Sequence, residues 1–181
     1  NLSITATTGN ITQGAAVAVT GTTTLKATTS NDITLDNASN DFQDAVKITR
    51  GNDVTLVDAN AIDLGVSAVS GTYAVTATSG NITDSGDLTI TGAATFITVA
   101  NGSDIILDSS GNAFATAVTM RAGDGTNAAF GDITFVDSAA VKLHTSAGTN
   151  GDLFIDANQA GVVAVGGNLS ITATTGNITQ G

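Results

Sequence analysis

Sixteen acidic side chains, five basic ones and a single histidine, His144, bound the chemistry this 181-residue sequence can do. With no cysteine and no second histidine, His144 completes neither a tetrahedral metal site nor a nucleophile–base–acid triad. Serine and aspartate are plentiful, but none stands in a pattern that pairs it with a base. The sequence therefore assigns no catalytic, cofactor-binding or metal-binding residue, and the expectation is a protein that is not an enzyme and needs no cofactor. Five acids do recur in one setting: Asp32, Asp53, Asp104, Asp132 and Asp152 each follow Asn, Ser or Gly and precede an aliphatic residue. Carboxylates stacked about 5 Å apart would repel, which makes calcium bridging conceivable. The spaced motifs of calcium-binding rolls and helix-loop-helix loops are missing, so turn formation is the expected role.

Three other groups invite a functional reading. Asn40 and Asn112 stand two residues before Phe42 and Phe114, which predicts a turn or buried amide ladder beside a core plug rather than a ligand contact. The clusters Thr5-Thr7-Thr8, Thr22-Thr23-Thr24 and Thr76-Thr78 could present hydroxyl arrays of the kind used by some ice-binding solenoids. Uneven spacing, and insertions such as Asp124 to Phe130 that should break the register, favour an ordinary solvated face. Tyr73 with Phe130 is the one candidate for an exposed aromatic contact to a glycan.

The elements that must carry these residues are strands. Leu2, Ile4 and Ala6 alternate with Ser3, Thr5 and Thr7, the period-two pattern of a half-buried strand. Ile33 with Leu35, Val54 with Leu56, Leu88 with Ile90, Ile105 with Leu107, Ile133 with Phe135 and Leu153 with Ile155 repeat it. β-Branched Thr, Val and Ile suit a pleated surface, and Gly, Asn and Asp supply turns. Helical spacing is confined to a weak stretch at DFQDAVKI, whose counterpart NAFATAVTM reads as strand.

Repetition decides how the strands are arranged. NLSITATTGNITQG, residues 1–14, returns unchanged as residues 168–181. Within that period, residues 1–51 align with 72–123 after one added residue near Gly102. DITLDNASNDFQDAV from Asp32 matches DIILDSSGNAFATAV from Asp104 at eight of fifteen places. The chain thus reads as one solenoid segment over 1–181, with internal repeats 1–71 and 72–167 and a further copy beginning at 168. Turn signals recur about every 20 residues, as from Asn10 to Asp32 and on to Asp53. The expected fold is all-β: a parallel β-helix (β-solenoid) with coils of about 20 residues, little helix, and a core of Val, Ile, Leu and Ala. Eight such coils would make a rod about 35 to 40 Å long. Asn168 is expected a whole number of coils above Asn1, in the same orientation.

The net charge of −11 works against nucleic acid and anionic membrane surfaces as partners. No apolar run approaches a membrane span, so no membrane insertion by this segment is expected. Unpaired end strands predict stacking on neighbouring repeats or on other copies.

The runs GNLSITATTGNITQG and SNDFQDAVKITRG resemble the repeats of filamentous haemagglutinin-type and related giant bacterial surface adhesins. That resemblance implies a right-handed parallel β-helix, secretion to the outer-membrane-associated cell surface, and a part in attachment or biofilm matrix. It brings no catalytic residues with it. A self-assembling extracellular filament and a glycan- or ice-binding solenoid surface are the other readings.

Overall fold

The computed structural model describes residues 1–123, 130–143, 152–155 and 167–180. Every regular element among them is a β-strand, and every pairing is parallel. The chain winds three strands to a turn. The first circuit is β1 (Leu2–Thr5), β2 (Ile11–Thr12) and β3 (Ala18–Val19), and the second β4 (Thr23–Lys26), β5 (Ile33–Leu35) and β6 (Asp41–Phe42). The third holds β7 (Val46–Arg50), β8 (Val54–Asp58) and β9 (Ile62–Leu64), and the fourth β10 (Ser67–Val69), β11 (Tyr73–Ala77) and β12 (Ile82–Asp84). The fifth is β13 (Leu88–Ile90), β14 (Ala94–Thr98) and β15 (Ile105–Leu107), followed by β16 (Ala113–Phe114), β17 (Val118–Ala122) and β18 (Ile133–Asp137). Last come β19 (Val141–Leu143), β20 (Asp152–Ile155), β21 (Leu169–Ala173) and β22 (Ile178–Gln180).

Parallel β-solenoid, then, is the fold, with coils of about 22 residues and fewer turns than the eight expected. Alternation explains the layering. Leu25, Ile33, Leu35, Val46, Ile48, Val54 and Leu56 point inward and are at most 2% exposed, while the residues between them face out. Tyr73, Phe96, Phe114 and Phe135 fill the core of the upper coils as successive ring contacts, with centroids 5.9, 6.1 and 5.2 Å apart. Corners are tight where backbones cross: a Cβ on Gly92 would fall 2.3 Å from the carbonyl oxygen of Gly71 one coil below. Only glycine fits there.

The second face is unbroken from β2 through β5, β8, β11, β14 and β17 to β20. The other two faces shift where the first repeat meets the second. Val46 at the start of β7 pairs with Leu64 of β9, while at its other end Gly51 bridges to Val69 of β10. Ile48 N–H donates to Ser67 Oγ at 3.3 Å and Ser70 N–H to the Gly51 carbonyl at 3.0 Å, so β10 covers most of β7. The coil from Val54 to Tyr73 is 19 residues, the shortest step along the unbroken face from β2 to β20, and the shift falls within it.

Counting strands gives the reason for this arrangement. The first repeat contributes ten strands, β1 to β10, so with three to a turn it closes after three turns and a third. The second copy is displaced by one face. β11, the counterpart of β1, pairs with β8 and β14 in the column founded by β2, and β12, the counterpart of β2, pairs with β9 and β15. β21, whose sequence is that of β1, stacks on β18 in register Ile133↔Leu169 and Phe135↔Ile171. Asn168 is therefore two thirds of a turn away from the orientation of Asn1, which corrects the expectation of a whole number of coils. The insertion beginning at Asp124 lies largely outside the described residues, yet Ile105↔Ile133 and Leu107↔Phe135 still pair across it, so it does not break the register.

Candidate functional site

The coil-start residues form two staircases at corners of the solenoid. Asp32 N–H donates to Asn10 Oδ1 at 3.0 Å, Asp53 N–H to Asp32 Oδ1 at 3.2 Å, and Thr72 N–H to Asp53 Oδ1 at 2.7 Å. One repeat later Asp104 N–H donates to Asn81 Oδ1 at 2.8 Å, Asp132 N–H to Asp104 Oδ1 at 2.8 Å, and Asn168 N–H to Asp132 Oδ1 at 2.7 Å. Each side chain caps the amide one coil above. The bonds from the Asn168 backbone and side chain hold the Asp132 carboxyl below its ordinary range. Four of the five sequence-singled acids thus clamp coil to coil; the side chain of Asp152 lies outside the described residues.

Asn40 and Asn112 are fully buried and anchor a second kind of joint. Asn40 Oδ1 accepts from Val17 N–H at 2.9 Å and from Gln13 Nε2 at 2.7 Å, and its Nδ2 donates to Gln13 Oε1 at 2.9 Å and to the carbonyls of Leu35 and Val57. Asn112 Oδ1 accepts from Leu88 N–H at 2.9 Å, and its Nδ2 donates to Asp84 Oδ2 at 2.7 Å. Gln13 and Asp84 occupy equivalent places in the two repeats, so one joint is neutral and the other holds a carboxyl. Phe42 and Phe114 plug the core as expected, at 2% and 4% exposure.

Three carboxyls are withdrawn from water: Asp58, Asp84 and Asp137. Burial raises the proton affinity of all three, against the bonds they accept from Asn60 and Phe42, from Asn112, Asp108 and Ser109, and from Ala139 and Phe114 respectively. Asp58 Oδ2 holds the Phe42 amide at 2.7 Å, tying β8 to β6.

Where β6 and β9 part, a cleft of about 410 Å³ opens, lined by Asp41, Gln43, Asp44, Asn60, Asp63 and Thr83 among others. Its carboxylates are engaged locally. Asp41 accepts from Asn60 and Gln43, Asp44 from Thr22 and Ala45, and Asp63 from Ser85.

Other sequence candidates are dispersed or buried. Tyr73 has no exposed surface and its phenol is pushed up by burial, so it cannot join Phe130 in an exposed aromatic contact. Thr23 is buried, which breaks up the Thr22-Thr23-Thr24 cluster. The row that does form was not visible in sequence: Thr12, Thr34, Thr55, Thr95 and Thr119 stand in register on the second face, interrupted by Ala74. Coil steps that vary from 19 to 24 residues along this face hide it. His144 lies outside the described residues.

Residues 1–49 and 51–121 match a family model described as repeats of unknown function, DUF5649. The chain belongs to this family of repeats. Its second matched span, 51–121, has the 71-residue length of the internal repeat, started at a corner rather than at β1. No curated protein and no solved structure matches the chain.

Proposed function

We propose that this segment is a rod-forming module whose function is length: a structural stalk within a large bacterial surface protein or extracellular fibre of the filamentous haemagglutinin style. The observation that carries this reading is the join between copies. β8 pairs with β11 over five residues, Val54↔Tyr73 to Asp58↔Ala77, and β18 pairs with β21 over five, Ile133↔Leu169 to Asp137↔Ala173. A new repeat therefore continues the ladder of the last without a cap, and main-chain bonds run along the rod axis. The repeats of known surface adhesins, which GNLSITATTGNITQG resembles, support secretion and attachment as the setting.

Electron microscopy of chains with one, two and three copies of residues 1–167 tests it. Each copy spans six turns and two thirds and should add about 32 Å at constant width, from a rise of about 4.8 Å per coil. Separate globules joined by flexible links, or a length that does not grow with copy number, would defeat the reading.

A further inference from the structure

Basic residues are scarce in this chain, yet three of the five gather on one face. Thr24 pairs with Lys47 and Lys26 with Arg50 across β4 and β7; Lys47 and Arg50 are exposed and Lys26 half-buried. A register shift between Leu25 and Lys26 brings this about. The ladder skips Thr49, so Arg50 stands beside Lys26 on the outside.

The second repeat is a built-in control. Its equivalent strands, β14 and β17, pair without a shift. In the sequence alignment Lys26, Lys47 and Arg50 meet Ile97, Thr119 and Ala122, but in the ladder Arg121 stands across from Ile97 as Arg50 stands across from Lys26, so the second repeat keeps one cation on the equivalent face where the first has three. The fold thus needs neither the two lysines nor this bulge. Among the described residues none of the three cations makes an ion pair, although Lys47 adds to the bonds from Ala45 and Thr22 that hold Asp44 below its ordinary range. Ser3 pairs with Thr24 and Thr5 with Lys26 on the coil below, and with Thr49 these place hydroxyls around the charges. Three coils by two outward residues give a patch about 10 Å by 7 Å, the size of one or two sugar rings.

We propose that this patch binds an acidic sugar, one whose ring carries a carboxylate. Arg50 offers the planar fork that matches a carboxylate in two bonds, the lysines supply point charge, and the hydroxyls of Ser3, Thr5, Thr24 and Thr49 suit ring hydroxyls. The size of the ligand follows from the rest of the molecule. A dense polyanion such as duplex DNA, or an anionic bilayer, would meet the repulsion of a chain at −11, whereas a short acidic glycan meets the patch alone. The proposal does not depend on the rod reading.

The test is titration of the 181-residue chain with a hexuronate trisaccharide, followed by backbone amide NMR and calorimetry. Shifts should be confined to residues around Ser3, Thr5, Thr24, Lys26, Lys47 and Arg50, and affinity should fall as salt rises. The triple variant Lys26→Ile, Lys47→Thr, Arg50→Ala carries the residues the second repeat uses, and should lose at least about tenfold in affinity while unfolding at the same temperature. Lys47→Thr alone, at an exposed position, should lose about threefold. The idea is overturned by equal binding of the neutral reduced trisaccharide, by acetate binding as tightly as the sugar, by unchanged affinity in the triple variant, or by no shift at millimolar ligand. Tighter binding of a sulfated trisaccharide, of duplex DNA or of anionic vesicles would overturn the choice of ligand.

Discussion

Asn112→Ala and Asn40→Ala should differ in how their cost depends on pH, because equivalent joints hold a carboxyl in one repeat and an amide in the other. Removing the Asn112 amide leaves buried Leu88 N–H without its acceptor, a loss of about 1–3 kcal/mol. It also takes the 2.7 Å donor from Asp84, a bond to a charged group worth about 1.5–3 kcal/mol. The total at neutral pH is about 3–5 kcal/mol. Asn40→Ala takes the acceptor from Val17 N–H and two of the bonds of the Gln13 amide, all neutral, for about 2–4 kcal/mol. Asp84 already binds its proton more readily in the fold than when unfolded, because of burial, and losing Asn112 removes a bond that opposes that shift. Stability tied to a raised carboxyl is fully present below the unfolded pKa and is lost as pH rises through the folded one. Acidification should therefore restore part of the Asn112→Ala loss, by about 1 kcal/mol or more, and leave the Asn40→Ala loss unchanged. Urea unfolding followed by far-ultraviolet circular dichroism at neutral pH and near the ordinary carboxylate range measures both. Equal costs at the two pH values, or an Asn112→Ala cost below about 1 kcal/mol, would refute the joint as described.

Three further outcomes follow from the same geometry. The parent chain should itself be more resistant to urea in mild acid than at neutral pH, since Asp58, Asp84 and Asp137 all have raised proton affinity; Asp84→Gln, which copies Gln13, should flatten that profile. Phe96→Ala should cost about 3–5 kcal/mol in the same assay, because Phe96 is fully buried and bridges the rings of Tyr73 and Phe114. Gly92→Ala should destabilise strongly by driving a Cβ into the Gly71 carbonyl, whereas Gly14→Ala, with nothing within 4 Å, should change stability by less than about 1 kcal/mol.

Much of this architecture was legible in the residues. Alternation placed Ile33, Leu35, Val54 and Leu56 in the core, the paired Asn and Phe marked the buried joints, and Asn or Asp before an aliphatic residue marked the corners. Local pattern is enough for these because each depends on period two or on one turn. Phase around the axis was not legible. Sequence comparison aligns β1 with β11 and β21 but does not reveal that ten strands fail to divide by three, so the copies were expected to superpose. The burial of Tyr73, by contrast, follows from alternation: it takes the place of Leu2 and shares the inward face with Val75 and Ala77, whichever column its strand joins. The bulge at Thr49 was as hidden as the phase, since alternation alone would turn Arg50 inward like Ala122.

The displacement of each repeat by a third of a turn also bears on the shape of a long array. The 19-residue coil at the junction is shorter than the 21-residue coils beside it on the second face, and a coil short on one side tilts the next one toward that side. Were copies stacked in phase, every junction would lean the same way and the array would curl into an arc. The short coil recurs once in each 167-residue period, and because each period is displaced by two thirds of a turn, successive short coils fall in three directions and their leans cancel over three periods. A filament built this way is straight on average and equally stiff in every direction, and no single coil need be free of curvature.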